Sequence, residues 1–394
     1  MAVDTDATQV HLSVPLGDAV REALADVEDA SALSRFPRAV LERLGKLGVL
    51  RRRWQGPFPG DVVFGARLAE EVARHAPTGV AVGVSLHTES VLSLLHRFAG
   101  DSEYLADLRE QALDGTAIGA LAASEPTGGS DLSAIRTLAV PTADGWCVRG
   151  SKKYVSLGAV GDFVIVLCRI AKADGTPTER LATVVVPLDR ATVIREHEKL
   201  GTHALDTVAV EFHDVHVRAD AMLGRPGLGL ANVSYGLTFE RLAVGAQVVG
   251  AVSRALALAV EHSERRVQFG APLRSHQHIE FKLADVLVEL EVLRAAVHEV
   301  ARQTMDSPMG RPLVARVAAV KVHAARRAEH LVSECMQVFG GAGYLTQETP
   351  LGQMWRDIRL ARIGGGTDEM MLALVAGELT GSPAEYGDAV RISA

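Results

Sequence analysis

Two short runs near the middle of the chain, Phe163-Val164-Ile165-Val166-Leu167 and Thr183-Val184-Val185-Val186, constrain its architecture more than any other feature. Side chains branched at Cβ lose rotamer freedom in a helix and pack well on a pleated surface, so both runs read as strands. Val208, Val210 and Phe212 alternate with other residues at the strand period, and Asp144-Gly145 and Asp174-Gly175 supply turns between the runs. On either side the spacing changes. Leu16–Val27, Pro37–Leu47, Val63–Arg74 and Val80–Phe98 precede the strands with apolar residues at helical intervals, and Gly56-Pro57-Phe58-Pro59-Gly60 forms a loop among them. Glu240–Arg265, His278–Thr304, Pro312–Phe339 and Thr367–Leu379 follow the strands, several of them apolar on more than one face, as in helices that bury against one another. The expected fold class is α+β: an N-terminal helical domain over residues 1–118, a central antiparallel β-domain over 119–230 and a C-terminal four-helix-bundle domain over 231–394.

Composition narrows the partners. With 48% hydrophobic residues in 394, the chain can bury a large core, and 23% charged residues do not suggest disorder. A net charge of −7 argues against nucleic acid, which usually demands a basic face. Cys147, Cys168 and Cys335 lack metal-ligand spacing and are odd in number, so a reducing, cytoplasmic setting is expected. Asp4 and Asp6 stand where a signal peptide would place basic and apolar residues, and the apolar runs are short or broken by charge, so neither a signal peptide nor a membrane-spanning helix is expected. The histidines show no HExxH or paired spacing, and no metal site is expected. Arg51-Arg52-Arg53 reads as a solvated corner.

Four segments carry the chemistry. Ala122-Ala123-Ser124-Glu125-Pro126-Thr127-Gly128-Gly129-Ser130-Asp131 allows close backbone approach and offers hydroxyls and N–H groups to a flat or phosphate-bearing ligand. Taken alone it reads more simply as a turn between a helix and a strand, capped by Ser and Asp. Gly150-Ser151-Lys152-Lys153-Tyr154-Val155-Ser156 is by itself a strand with a polar face. Arg265-Arg266-Val267-Gln268-Phe269-Gly270, followed by His276-Gln277, resembles the charged end of a helix with a glycine cap. The fourth runs from Gln337-Val338-Phe339-Gly340-Gly341 through Arg356-Asp357 to Gly364-Gly365-Gly366-Thr367, where glycines precede an open helix N-terminus with partial positive charge.

In this order, around a helix–strand–helix layout, the four segments resemble the acyl-CoA dehydrogenase family. The resemblance is strongest from Gly119 to Leu379; Arg51–Gly60 lacks the Pro/Gly/Gly loop usual in the family. It implies the acyl-CoA dehydrogenase fold, with non-covalent FAD between the β-domain and the C-terminal helices. By resemblance Ala123 and Ser124 line the flavin, Ser130 lies near the pyrophosphate and the thioester, Tyr154 replaces a common tryptophan, and Ser156 bonds flavin N5. Arg266, Gln268, Phe269 and Gln277, with Gln337 and Gly341, match residues that meet the adenine half of FAD from a neighbouring subunit in family homotetramers; a dimer is the other oligomer considered. Thr367 and Glu369 match residues beside the cofactor.

The family removes a proton from Cα of a thioester and passes a hydride from Cβ to flavin N5. Many members carry the base as Glu in a Tyr-Glu-Gly-Thr segment; here that position is Gly365, whose N–H still matches the one that bonds the thioester oxygen. Isovaleryl-CoA and long-chain acyl-CoA dehydrogenases place the base in a Glu-Arg-Leu segment, matched by Glu240-Arg241-Leu242. Leu242–Val252 carries no charge, so burial is expected to raise the Glu240 pKa toward that of a working general base. A carboxylate that merely pairs with Arg241 or favours a helix start is the alternative. Thr238, Arg241 and Gly366, with Ser130, are the expected substrate contacts. Gly364 and Gly365 leave space for a branched or bulky acyl chain. The resemblance implies an acyl-CoA or acyl-carrier-protein substrate and an electron-transfer flavoprotein as acceptor. A flavin-dependent monooxygenase or oxidase on the same fold, or a cofactor-free interaction protein, are the competing functions.

Overall fold

The computed structural model describes Leu12 and residues 14–25, 27, 33–307 and 309–379. Asp4, Asp6 and the stretch 380–394 lie outside the described residues. The chain opens with α1 (Leu16–Ala23), α2 (Ala39–Lys46), α3 (Val49–Arg53), α4 (Val62–His75), α5 (Thr78–Ser85), α6 (Leu92–Phe98) and α7 (Glu103–Leu113). Side-chain caps set two of these starts: Asp61 accepts from the Phe64 N–H at 2.8 Å and Ser102 from the Leu105 N–H at 3.1 Å. Between α5 and α6 the rod does not break but widens into a π turn over Leu86–Val91. Hydrogen bonds there reach back five residues instead of four, which throws side chains off the α-helical register.

The central sheet is built from β1 (Gly119–Ala122), β2 (Leu138–Pro141), β3 (Gly145–Ser156), β4 (Phe163–Ala171), β5 (Pro177–Pro187), β6 (Thr192–Glu196), β7 (Thr207–Arg218) and β8 (Met222–Leu223). Its order is β6-β7-β3-β2-β4-β5-β8, with β1 also beside β4. The two diagnostic runs are β4 and β5, paired antiparallel with Val164 opposite Val186 and Val166 opposite Val184. All four of these valines are fully buried. Strands covered on both faces read as continuous apolar runs, which is why these two stood out. The sheet is mixed, not purely antiparallel: β1 and β2 both run parallel to β4. Neither joins β4 through a tight hairpin, so nothing forces the antiparallel direction.

After the sheet come α8 (Gly229–Arg265), the short β9 (Val267–Gln268) and β10 (Ala271–Pro272), then α9 (Gln277–Asp306), α10 (Arg311–Val338), α11 (Gly341–Tyr344), α12 (Leu351–Ile358) and α13 (Asp368–Ala376). The long α8 packs on α4, α9 and α10, and α13 lies on α10. α8 starts well before Glu240, because Leu230, Val233 and Leu237 continue the apolar helical spacing upstream. A Cβ on Gly250 would lie 2.1 Å from the Glu70 carbonyl oxygen, so this glycine lets α8 and α4 touch backbone to backbone. α4 faces two cores: Leu68 and Val72 join the cluster under the sheet, while Val62, Ala66 and Ala69 join the C-terminal helices. The stretches Thr78–Phe98 and Gly229–Arg265 are long and apolar enough to cross a bilayer, but their most apolar windows are 89% and 72% buried inside the protein.

Candidate active site

Glu240 sits in the interior of α8, only 9% exposed, rather than at a helix start. The helix N-terminus therefore does not account for its environment. Burial pushes its pKa up; a hydrogen bond from Ser90 and the charges of Arg241 and Lys321 pull the other way. The Ser90 hydroxyl donates to Glu240 Oε2 at 2.9 Å. Arg241 donates through Nε to the Gly365 carbonyl at 2.8 Å. Fully buried Lys321, from α10, donates to the Gly366 carbonyl at 2.7 Å. Desolvation brings the Lys321 pKa down to about 8, against the opposing pull of Asp368. Two cations thus clamp the glycine loop by its carbonyls.

The loop needs its glycines, since Gly365 and Gly366 have φ of +66° and +110°. A Cβ on Gly365 would stand 3.5 Å from Glu240 Oε1. Positions 240 and 365 thus face one small space, and a carboxylate from either could serve it. Among the described residues the Gly365 N–H donates to no backbone carbonyl. Thr367 caps α13 by accepting from the Met370 N–H at 3.4 Å, and Arg362 Nε holds Asp368 at 2.8 Å. Glu369 is exposed. Thr238, buried, spends its hydroxyl on the Ser234 carbonyl at 2.8 Å.

The wall facing Glu240 is the π turn, which the sequence reading passed over. Its residues His87, Thr88, Glu89 and Ser90 are all buried. His87 Nε2 lies 2.9 Å from the Ala112 carbonyl, which can only accept, so Nδ1 receives the Gly119 N–H at 3.2 Å. Burial keeps this ring neutral, with a pKa near 4. Trp54 Nε1 donates to the Thr88 carbonyl at 2.9 Å. Glu89 takes Arg53 in a bidentate pair, Nε to Oε1 at 2.9 Å and Nη2 to Oε2 at 2.7 Å. Arg53 is fully buried, which corrects the solvated-corner reading of Arg51-Arg52-Arg53. Only Arg51 and Arg52 fit that reading, through partly exposed pairs with Glu110, Asp114 and Asp61. Four consecutive polar residues in an apolar rod were the available signal.

On the β-domain side, the Lys153 N–H donates to the Ser124 carbonyl at 2.9 Å, which sets Ser124 beside Tyr154. Beneath them Lys152 and Glu125 form a buried pair at 2.9 Å, and the Thr137 N–H reaches the same carboxylate oxygen at 2.9 Å. Glu125 is therefore a girder of the loop, not a ligand group. Tyr154 has φ of +63° and is 59% exposed, its ring 5.5 Å from that of His197. Ala123, Ser124 and Ser156 are half-buried, and Ser130 stands on an exposed loop where a Cβ on Gly128 would meet open space. An exposed aromatic face, hydroxyls at its edge and an open glycine loop fit a flat ring system carrying phosphates.

Arg266, Gln268, Phe269 and Gln277 lie elsewhere. From Glu240 to Arg266 is about 39 Å along α8 at 1.5 Å per residue. His262 stacks on Phe339 at 4.1 Å, so this end of α8 meets the end of α10, where Gln337 and Gly341 sit. All six are exposed, Phe269 at 96%. The structure thus brings Glu240, Arg241, Gly365 and Gly366 together and leaves the six as a separate group.

Residues 120–215 match the acyl-CoA dehydrogenase middle domain and residues 227–380 the acyl-CoA dehydrogenase C-terminal domain. The acyl-[acyl-carrier-protein] dehydrogenase MbtN of Mycolicibacterium paratuberculosis is 39% identical over 389 residues, covering 98% of this chain and 97% of that one. The short-chain specific acyl-CoA dehydrogenase of Megasphaera elsdenii is 30% identical over 385 residues, covering 95% and 98%. The solved butyryl-CoA dehydrogenase of Megasphaera elsdenii superposes with a TM-score of 0.82 at 28% identity, covering 94% of this chain and 99% of that one. The chain belongs to the acyl-CoA dehydrogenase family. It is an enzyme that acts on the CH–CH bond of an acyl thioester.

Proposed function

We propose that Glu240 is the general base of an FAD-dependent α,β-dehydrogenation. The observation that carries this reading is the buried carboxylate of Glu240, whose Oε1 stands 3.5 Å from where a Cβ on Gly365 would lie. A thioester α-proton is weakly acidic, so its removal needs a positioned base and donors on the carbonyl oxygen. Glu240 takes the proton, and the Gly365 N–H supports the thioester oxygen. A bound FAD would supply the acceptor for the hydride leaving Cβ. Ala123, Ser124, Ser130, Tyr154, Ser156, Thr367 and Glu369 would hold it against the site. Arg266, Gln268, Phe269, Gln277, Gln337 and Gly341 would meet the far half of a cofactor shared with a second copy, and an electron-transfer flavoprotein would drain the electrons. Glu240→Gln, loaded with FAD, should keep its flavin and lose substrate-driven bleaching by at least about a hundredfold. Near-normal bleaching would overturn the assignment.

The acyl group is carried by a carrier protein. Support comes from the relatives: the chain is 39% identical to a protein named for acyl-carrier-protein substrates and 30% to one named for acyl-CoA. Comparing turnover of one acyl group on a carrier protein and on CoA tests this, and a clear preference for CoA would reverse it. Gly364 and Gly365 leave room for a branched chain; a preference for straight thioesters of equal length would count against that.

A further inference from the structure

We propose that Ser90 is the positioning residue of the base: its hydroxyl selects which oxygen of Glu240 receives the proton and favours the ionised form of that carboxylate. The inference rests on the reading of Glu240 as base. A carboxylate accepts hydrogen bonds and cannot donate, so the 2.9 Å contact has Ser90 as donor and Oε2 as acceptor. With Oε2 occupied, Oε1 is the oxygen left facing the Gly365 side of the site, 3.5 Å from the Cβ position there. One hydroxyl thereby sets both the rotamer and the direction of the reactive lone pair.

The bond also answers a problem that burial creates. A desolvated carboxylate tends to hold its proton, and a protonated base cannot work. Three groups favour the anion: Ser90, Arg241 and Lys321. The two cations spend hydrogen bonds on the carbonyls of Gly365 and Gly366 and act on Glu240 only as nearby charges. Ser90 alone of the three donates directly to the carboxylate.

The backbone that carries Ser90 is fixed, because its neighbours hold the π turn from separate directions. Arg53 grips Glu89 and donates a further bond to the Pro59 carbonyl at 2.8 Å. Trp54 holds Thr88, and His87 ties the turn to the start of β1. The Ser90 carbonyl accepts the Ser93 hydroxyl at 2.8 Å. The turn is a rigid mount for a single hydroxyl.

The test uses full-length, FAD-loaded protein with a saturable acyl thioester, comparing Ser90→Ala, Ser90→Thr, Ser90→Cys and Glu240→Gln with the unaltered chain. Removing a donor to the anion raises the carboxyl pKa, so the acid limb of kcat/KM in Ser90→Ala should move up by about one pH unit. Below that limb the rate should fall about tenfold, and much of it should return at high pH, while flavin content stays unchanged. Ser90→Thr, which restores the donor, should bring the limb back. Ser90→Cys, a weaker donor, should fall between and serves if the alanine variant does not accumulate. An unmoved acid limb in the alanine or cysteine variant, or threonine no better than alanine, would overturn the proposal. If Glu240→Gln stays active, it is the base assignment that fails; if Glu240→Gln is inactive and Ser90→Ala is unshifted, it is the role of Ser90.

Discussion

The two ends of α8 differ as sharply as any two regions of this molecule. Around Glu240, polar groups from α3, the π turn, α10 and the glycine loop are buried and joined to partners within the chain. Around Arg266, Gln268 and Phe269, the side chains stand in the open, and the Gln268 side-chain amide donates to the carbonyl of its own neighbour Val267 at 2.7 Å. The difference teaches where precision is required. On the role proposed for Glu240, proton transfer tolerates little displacement, and that end is built from the chain's own buried and mutually bonded parts. The other end is an exposed surface, and substitutions there should disturb the folded chain less than those at the inner end.

The largest effect should come from breaking the inner end. Arg53→Leu leaves Glu89 charged and buried without a partner and should cost about 3–5 kcal/mol in denaturant unfolding. Arg51→Leu, two residues earlier but partly exposed, should cost less than about 1 kcal/mol. Similar losses in the two variants would erase the contrast. Acid should weaken the same region. The pKa values of His87 and His96 are pushed down by burial to about 4, from about 6.5 in an unfolded chain. A depressed folded value means that the unfolded chain binds more protons. The stability these rings allow is intact above about pH 6.5 and falls as pH drops toward 4, by up to about 1.4 kcal/mol per unit for each ring. Urea midpoints at successive pH values between 7 and 4.5 would check this, and a flat profile would refute it.

A smaller effect is expected at Gly365→Ala. Its φ of +66° strains any side chain by about 1–3 kcal/mol, and the added methyl faces Glu240. Substrate turnover should fall while flavin content persists; loss of flavin without loss of turnover per flavin would move Gly365 out of the reacting region. The smallest change in stability should be at the outer end. Phe269→Ala should alter unfolding by no more than about 0.5 kcal/mol, since the ring is 96% exposed, yet weaken FAD retention and subunit association. Gel filtration and flavin content of the dialysed protein would show both, and unchanged values would leave the exposed phenylalanine without a role.

Much of this was legible in the sequence, for physical reasons that also explain what was not. The β4 and β5 runs announced strands, and long apolar spacings announced the helices. Strand direction was hidden, because parallel pairing of β1 and β2 with β4 depends on how distant segments meet. The glycine loop was visible as consecutive glycines, and Glu240 through the resemblance of Glu240-Arg241-Leu242 to the family's Glu-Arg-Leu segment. Ser90, Glu89 and Arg53 were not: a serine in a helix or an arginine in a basic triplet looks solvated until its partner, 36 residues away for Arg53 and 150 for Ser90, is brought to it. Lys321 was hidden in the same way, as one cation among several on α10.

The π turn changes what kind of genetic lesion this enzyme should fear. A helix that accommodates one residue more than its regular winding allows can return to that winding by losing one. A single-codon deletion within Leu86–Val91 would straighten the rod, turn Ser90 by about 100° around its axis and carry Glu89 away from Arg53. Length is then guarded in this segment alongside the identities of Glu89 and Ser90: losing one residue here should be tolerated no better than losing either side chain.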